Sequence, residues 1–305
     1  AIFFMILKEV RAKTISDSRG EKTIEVSVNG AIASSPSGKS TGIYESKPYY
    51  KNLAFCVGFL NTWAREIDIN SFDDLVKVEK EICKQLKLKK PELFGGNALF
   101  AFESALLKAL ARSQKKELWQ LINPRARGVP VPVGNAIGGG LHSEHFKKHP
   151  VFQEFLIIPR EKSAAANVRT MKDVYVQLGR TFKAKKTNDE GAWHVAEDDE
   201  AILKQLYNYR SVVNLGIDVA ASSFYKKPLY RYHAISRTPP LQAHHILELA
   251  RLYGVLYLED PMEQEDFSGF KQLTKDLQNT LIVGDDLTAT HLERIKKAHH
   301  MSAIN

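Results

Sequence analysis

The 305 residues contain only two cysteines, Cys56 and Cys83. Both lie in the first third without metal-type spacing, which excludes a disulfide-stapled scaffold and leads us to expect a reducing, cytoplasmic setting. Long apolar runs are missing too. The apolar stretch at residues 2–7 falls far below the roughly 20 residues of a membrane span, and no basic leader precedes it. There is no internal repeat and no low-complexity segment. Neither sign of charge dominates, 43 Lys and Arg standing against 35 Asp and Glu for a net +8. The lysines are dispersed, and the one basic run, Lys84-Gln-Leu-Lys-Leu-Lys-Lys90, reads as a solvated helix face. Neither nucleic acid nor a membrane is implied as a partner, whereas an anionic small substrate suits this balance.

What is present is a repeated pattern in the second half. Asn214-Leu-Gly-Ile-Asp218, Val255-Leu-Tyr-Leu-Glu259-Asp260 and Leu281-Ile-Val-Gly-Asp285-Asp286 are short apolar runs, each ending in a carboxylate. Runs this short suit buried parallel strands, and their separation fits strand–helix–strand units of roughly 30 residues. Asp218, Glu259 and Asp285 then fall at the C-terminal ends of successive strands, where barrel enzymes build their sites. Three converging anions repel unless a cation holds them, and oxygen donors of this kind suit Mg²⁺. An acid after a strand can also simply cap the next helix.

The chain divides near Arg127-Gly128. Residues 1–127 open with a strand-like alternation, Thr23-Ile-Glu-Val-Ser-Val28, and include a helical stretch at 98–113 behind Gly95-Gly96-Asn97, an α+β domain. In residues 128–305 strands are expected at 131–136, 152–158, 215–219, 255–258 and 281–283, alternating with helices. That argues for a parallel, barrel-like sheet. The fold class is therefore α/β, an N-terminal α+β domain followed by an incomplete TIM-like β/α barrel. A closed barrel takes about 250 residues, more than remain, and a sixth strand is expected to begin at Ser302-Ala-Ile-Asn305. Ala1 is no initiator whereas Met5 would make a natural start, so an incomplete chain is expected.

One loop points two ways. Ala33-Ser-Ser-Pro-Ser-Gly38-Lys39-Ser40-Thr41 ends like a P-loop, but Ala33 stands at the first glycine. Thr41-Gly42-Ile-Tyr and Pro48 follow where the phosphate-facing helix should start. A nucleotide-binding reading is the weakest alternative.

The same loop belongs to a longer collinear series. Asp17-Ser-Arg-Gly20, Thr23-Ile-Glu-Val26 and Pro36-Ser-Gly-Lys-Ser-Thr-Gly-Ile-Tyr-Glu45 come first, then Phe94-Gly-Gly-Asn-Ala98, Val129-Pro-Val-Pro132, Gln153-Glu-Phe155 and Asp189-Glu-Gly191. Asp218-Val-Ala-Ala-Ser222, Leu258-Glu-Asp-Pro261 and Val283-Gly-Asp-Asp-Leu-Thr288 complete it. The series resembles enolase, the phosphopyruvate hydratase of glycolysis, in an archaeal/bacterial-like form, across essentially the whole chain. The resemblance implies an enolase-type barrel, dehydration of 2-phosphoglycerate to phosphoenolpyruvate, two Mg²⁺ per site, and a homo-oligomer.

It also implies roles. Asp218, Glu259 and Asp285 match ligands of the metal that binds the substrate carboxylate, and Ser40 matches the loop serine of the second Mg²⁺. Glu190 matches the general acid, Glu154 the acid beside it, Gln153 a substrate contact and His142 the histidine of a mobile loop. Such sites pair a lysine of lowered pKa with Mg²⁺ that stabilises the developing dianion. Some positions depart from the family pattern. Glu21-Lys22 stands for Asn-Pro, Lys39 for a small residue and Leu141 for a serine, while Asn188-Asp-Glu-Gly-Ala-Trp193 replaces a leaner, glycine-rich run. The base lysine and the phosphate-binding Ser-Arg pair fall after Asn305 in the family pattern, so the 305 residues alone are expected to be inactive. A non-catalytic, enolase-derived scaffold is the alternative.

Overall fold

The computed structural model describes residues 5–36 and 43–305. They form two compact units, residues 5–36 with 46–128, and residues 43–45 with 129–305.

The first unit runs β1 (Met5–Leu7), β2 (Val10–Ser16), β3 (Lys22–Val28), β4 (Ala31–Ser34), α1 (Leu53–Asn61), β5 (Ile67–Ile69), α2 (Leu75–Leu86), α3 (Gly96–Ser113) and α4 (Leu118–Ile122). β2, β3 and β4 form an antiparallel sheet, and β1 pairs with β5. Alternation along β3 buries Ile24, Val26 and Val28. The β3–β4 hairpin turns on Asn29 (φ +46°) and Gly30 (φ +77°), the left-handed pair that a two-residue turn requires. α3 buries Ala98, Ala101, Phe102, Ala105, Leu106 and Ala109 at helical spacing and packs on β3 and β4. Phe102 and Leu106 each contribute about 1.5–3 kcal/mol by leaving water. The basic run is indeed solvated, with Lys84, Lys87, Lys89 and Lys90 all exposed. The helix, however, stops at Leu86, because Lys87 turns left-handed (φ +54°). Among the described residues no helix is long and apolar enough to cross a membrane.

Glu103 of α3 shares a hydrogen bond with Glu79 of α2, and burial, reinforced by Glu79, pushes the Glu103 carboxyl up to about 8. A folded pKa raised above the ordinary 4.3 means that the folded state holds a proton the unfolded chain releases. Stability should therefore be full near pH 4 and fall as pH rises through 8. Glu103→Gln is expected to raise the unfolding free energy at pH 9 by on the order of 1 kcal/mol, with little change at pH 5. Urea titrations at both pH values check this, and equal effects at the two would refute it.

The second unit runs β6 (Gly134–Gly138), β7 (Glu154–Pro159), α5 (Ala164–Thr181), β8 (Trp193–His194), α6 (Asp199–Tyr207), β9 (Val213–Asp218), β10 (Tyr225–Lys226), β11 (Leu229–Arg231), β12 (Ser236–Arg237), α7 (Pro239–Tyr253), β13 (Val255–Glu259), α8 (Phe267–Asp276), β14 (Leu281–Val283), α9 (Asp285–Thr288) and α10 (Leu292–His300). Its main sheet has the order β14-β13-β9-β7-β6-β8 and is not closed. β9, β13 and β14 are parallel, as the acid-ended runs require. The expectation of an all-parallel sheet fails at β7, which is antiparallel to both neighbours. The β6–β7 connection holds only a single 3-10 turn, Gly140–Ser143, whereas a parallel return needs a crossover, usually helical. β7 thus starts at the end of the sheet where β9 and β13 finish. The meander β10-β11-β12 was not foreseen, and residues 302–305 form no strand. Asn305 still lies along β14, donating from its backbone N to Ile282 O (3.3 Å) and accepting Ile282 N–H on Oδ1 (2.8 Å). The core between sheet and helices includes Phe155, Ile157, Leu215, Ile217, Leu258 and Ile282.

Candidate active site

Strand register builds one rim of carboxylates. Glu154, Asp218 and Glu259 are successive partners across β7, β9 and β13, and Glu259 faces Val283, two residues before Asp285 at the start of α9. Asp218 is buried. Its Oδ1 accepts Ala220 N–H (2.9 Å) and its Oδ2 accepts from Gln153 Nε2 (3.1 Å). Burial pushes the Asp218 carboxyl well above its usual range, and the charges of Glu259, Asp260 and Glu154 add to this. Glu259 is raised by burial and by Asp285 and Asp286, against the Tyr257 hydroxyl that donates to its Oε2 (2.9 Å).

Beside this row lies a tighter group. One ligand atom each of His142, Glu154 and Glu190 lies within 4.8 Å of the others, the single such trio of His, Cys, Asp or Glu among the described residues. His142 is buried, with Nδ1 3.2 Å from Asp189 Oδ1 and Nε2 3.5 Å from Glu190 Oε1. Burial first, then the hydrogen bond and charge of Glu190, push the Glu154 carboxyl up to about 8. A carboxyl that keeps its proton near neutral pH is equipped for general-acid chemistry.

The loop carrying Glu190 is held from both sides. Asn188 Oδ1 accepts the backbone N–H groups of Glu190 and Ala192 (3.0 Å each), and Asn135 Nδ2 donates to Glu190 Oε2 (3.2 Å). Gly138 leaves room for Asn188, since a Cβ there would collide with its amide. The bulky Trp193 packs on α5. Its ring stacks on Tyr175 of α5 (4.9 Å between centroids), over Gly179, and its Nε1 donates to Tyr175 O (2.9 Å).

The donor set fits a divalent cation. The buried Asp218 and the part-buried Glu259, both pushed upward, need either protons or a cation, and their oxygens, with those of the exposed Asp285, are hard donors. Gln153 Oε1 and Asn135 Oδ1 are buried beside them without a hydrogen-bond partner, an acceptor deficit that a bound cation or a donating ligand would relieve. Asp285 is set next to the row, and none of Asp218, Glu259 and Asp285 belongs to the tight trio, so among the described residues these three do not come within 4.8 Å of one another as a group. Ser40 and Lys39 lie outside the described residues. Sequence reasoning missed Asn135, Asn188, Tyr257 and Asp260. Asn135 and Tyr257 are polar interruptions of apolar strands, a readable signal. Asp260 accepts Asp286 N–H (2.8 Å) in α9, beyond the next strand, so it does not cap α8, the helix that follows its own strand, where Asp266 is the N-cap.

Comparison with known proteins agrees with this geometry. The profile of the family "Enolase, C-terminal TIM barrel domain" matches residues 126–305. The enolase of Methanocorpusculum labreanum is 32% identical over an alignment covering 98% of this chain and 80% of that protein. The enolase of Archaeoglobus fulgidus is 32% identical (99% and 78% covered), and that of Ehrlichia canis 30% (98% and 78%). With the acid-ended strands, the acid pair and these relatives in agreement, the chain belongs to the enolase family of lyases, the phosphopyruvate hydratases.

Proposed function

We propose that this chain carries most of a Mg²⁺-dependent site that dehydrates 2-phosphoglycerate to phosphoenolpyruvate. The observation that supports this best is the Glu154–Glu190 pair, with the Glu154 carboxyl raised to about 8, set directly beside the Asp218–Glu259 row. Asp218, Glu259 and Asp285 would hold one Mg²⁺, and Ser40 would contribute to a second. When bound, the ions act as Lewis acids on the substrate carboxylate. Glu190 passes a proton to the C3 hydroxyl, which departs as water, and Glu154, which holds its proton up to about 8, supplies that proton to Glu190 across their shared hydrogen bond. Asn135 and Asn188 fix the Glu190 carboxyl, Gln153 orients the substrate, and His142 closes the site from its own loop. Glu259 also contacts the substrate in this reading.

The C2 proton needs a base. The charges acting most strongly on Glu154, Asp218 and Glu259 are all carboxylates, and the enolase resemblance implies a base lysine outside these 305 residues. We therefore propose that the 305-residue polypeptide taken alone does not turn over. A chimera in which the Methanocorpusculum labreanum enolase supplies the residues following Asn305 should form phosphoenolpyruvate with Mg²⁺, while the 305-residue polypeptide should not. A chimera that folds and binds Mg²⁺ yet stays inactive would refute the assignment. Turnover by the shorter chain would mean that another lysine serves as base. The reading includes a cytoplasmic, homo-oligomeric enzyme acting on a phosphorylated carboxylic acid, and the two free thiols, Cys56 and Cys83, agree with a reducing compartment.

A further inference from the structure

The β6–β7 connection that carries His142 also carries one of a pair of facing imidazoles. His149 lies on the β6–β7 connection and His233 between β11 and β12. Their rings are 5.4 Å apart and nearly perpendicular, at 79°. His149 Nδ1 is 2.9 Å from Pro150 O, and His233 Nε2 is 2.9 Å from His149 O. A carbonyl oxygen only accepts, so these two nitrogens carry the hydrogens. In the neutral rings the lone pairs therefore stand on His149 Nε2 and His233 Nδ1.

Both rings thus have one nitrogen tied to a backbone carbonyl and the other available, the arrangement that outer-shell carbonyls give to metal-ligating histidines. Both also line a cavity of about 200 Å³, together with Glu144 and Arg231. The Arg231 guanidinium opposes a cation here, and its Nη1 donates to Ser236 Oγ (3.0 Å), which holds the group in place without neutralising it. The part-buried Asp199 carboxylate feels the charge of His233 and favours positive charge there.

We propose that His149 and His233 form a site for an imidazole-preferring divalent transition metal, Zn²⁺ foremost, with the exposed Glu144 rotating in as third ligand. Two nitrogens suit Zn²⁺ and disfavour Mg²⁺, which takes oxygen. The site shares no residue with the carboxylate rim. Its occupation would tie the β6–β7 connection, and with it His142, to the β11–β12 hairpin, restricting the loop over the acid pair.

Calorimetric titration of the 305-residue protein with ZnCl₂, in excess Mg²⁺ to fill oxygen sites, tests this. One Zn²⁺ per chain should bind without Mg²⁺ competition. His149→Ala and His233→Ala should each weaken it by more than about tenfold, since loss of even an outer-shell partner costs ten- to hundredfold. His244→Ala should change nothing, although His244 pairs with Glu248 on an exposed helix face (3.3 Å). Should His149→Ala fail to fold, His233→Asn at an exposed position decides alone. Retention of Zn²⁺ by the His233 variants, or its displacement by Mg²⁺, would overturn the site. Amide exchange over residues 140–148 should slow with Zn²⁺, and unchanged exchange would overturn the tether.

Discussion

Glu190→Gln, in the chimera that carries a base lysine, is expected to lower phosphoenolpyruvate formation by about 10²- to 10⁴-fold, the usual contribution of a positioned general acid. Glutamine keeps the shape and can still meet Asn135 and His142, which lie 3.2 and 3.5 Å from the present carboxylate oxygens. An amide has no acidic proton for a departing hydroxide. Mg²⁺ affinity should stay close to that of the parent, because Asp218, Glu259 and Asp285 are untouched. A second readout separates this role from a merely structural one. Glu190 helps to raise the Glu154 carboxyl towards 8, so its neutralisation should lower the Glu154 titration, visible in the infrared carboxyl band. Unchanged turnover would remove Glu190 from the acid role. Lost turnover with lost Mg²⁺ binding would indicate a collapsed rim.

The rim was legible because its parts are local. A strand of four or five apolar residues followed by an acid shows both the strand and the position of the acid, and β9, β13 and β14 were read this way. The direction of β7 was not legible, since alternation of apolar residues is the same read forwards or backwards, and only the lack of a crossover helix decides it. Partners distant in sequence were also hidden. Asn135 and Glu190 stand 55 residues apart, and Trp193 looked intrusive until Gly179 and Tyr175 were seen to receive its ring. Glu259-Asp260 divides between two tasks that composition cannot separate. Glu259 ends β13 in register with Asp218, whereas Asp260 turns left-handed (φ +39°) and accepts Asp286 N–H in α9.

In the absence of divalent cations the second unit is expected to lose stability as pH rises from about 4 towards 8, and Mg²⁺ to restore it at the alkaline end. Glu154 is raised to about 8, Asp218 and Asp260 well above their usual range, and Glu259 and Asp286 upward as well, each chiefly by burial. In the unfolded chain such groups release protons near pH 4. Between those limits the folded state binds more protons than the unfolded one, so the unfolding free energy falls as pH rises. This is opposite in sign to the behaviour of ion-paired carboxylates. A cation that binds only the folded state adds about 2.7 kcal/mol at a hundred times its dissociation constant. Protons compete for the same oxygens, so the gain should be small at pH 5 and large at pH 8. Denaturant titrations in EDTA and in Mg²⁺ across this range measure both slopes. Asp218→Asn should flatten the EDTA curve and abolish most of the Mg²⁺ response. Glu103→Gln, in the first unit, should leave the Mg²⁺ response intact. Equal Mg²⁺ stabilisation at pH 5 and pH 8, or a flat curve in EDTA, would show that the row of carboxylates is not where the cation and the protons compete.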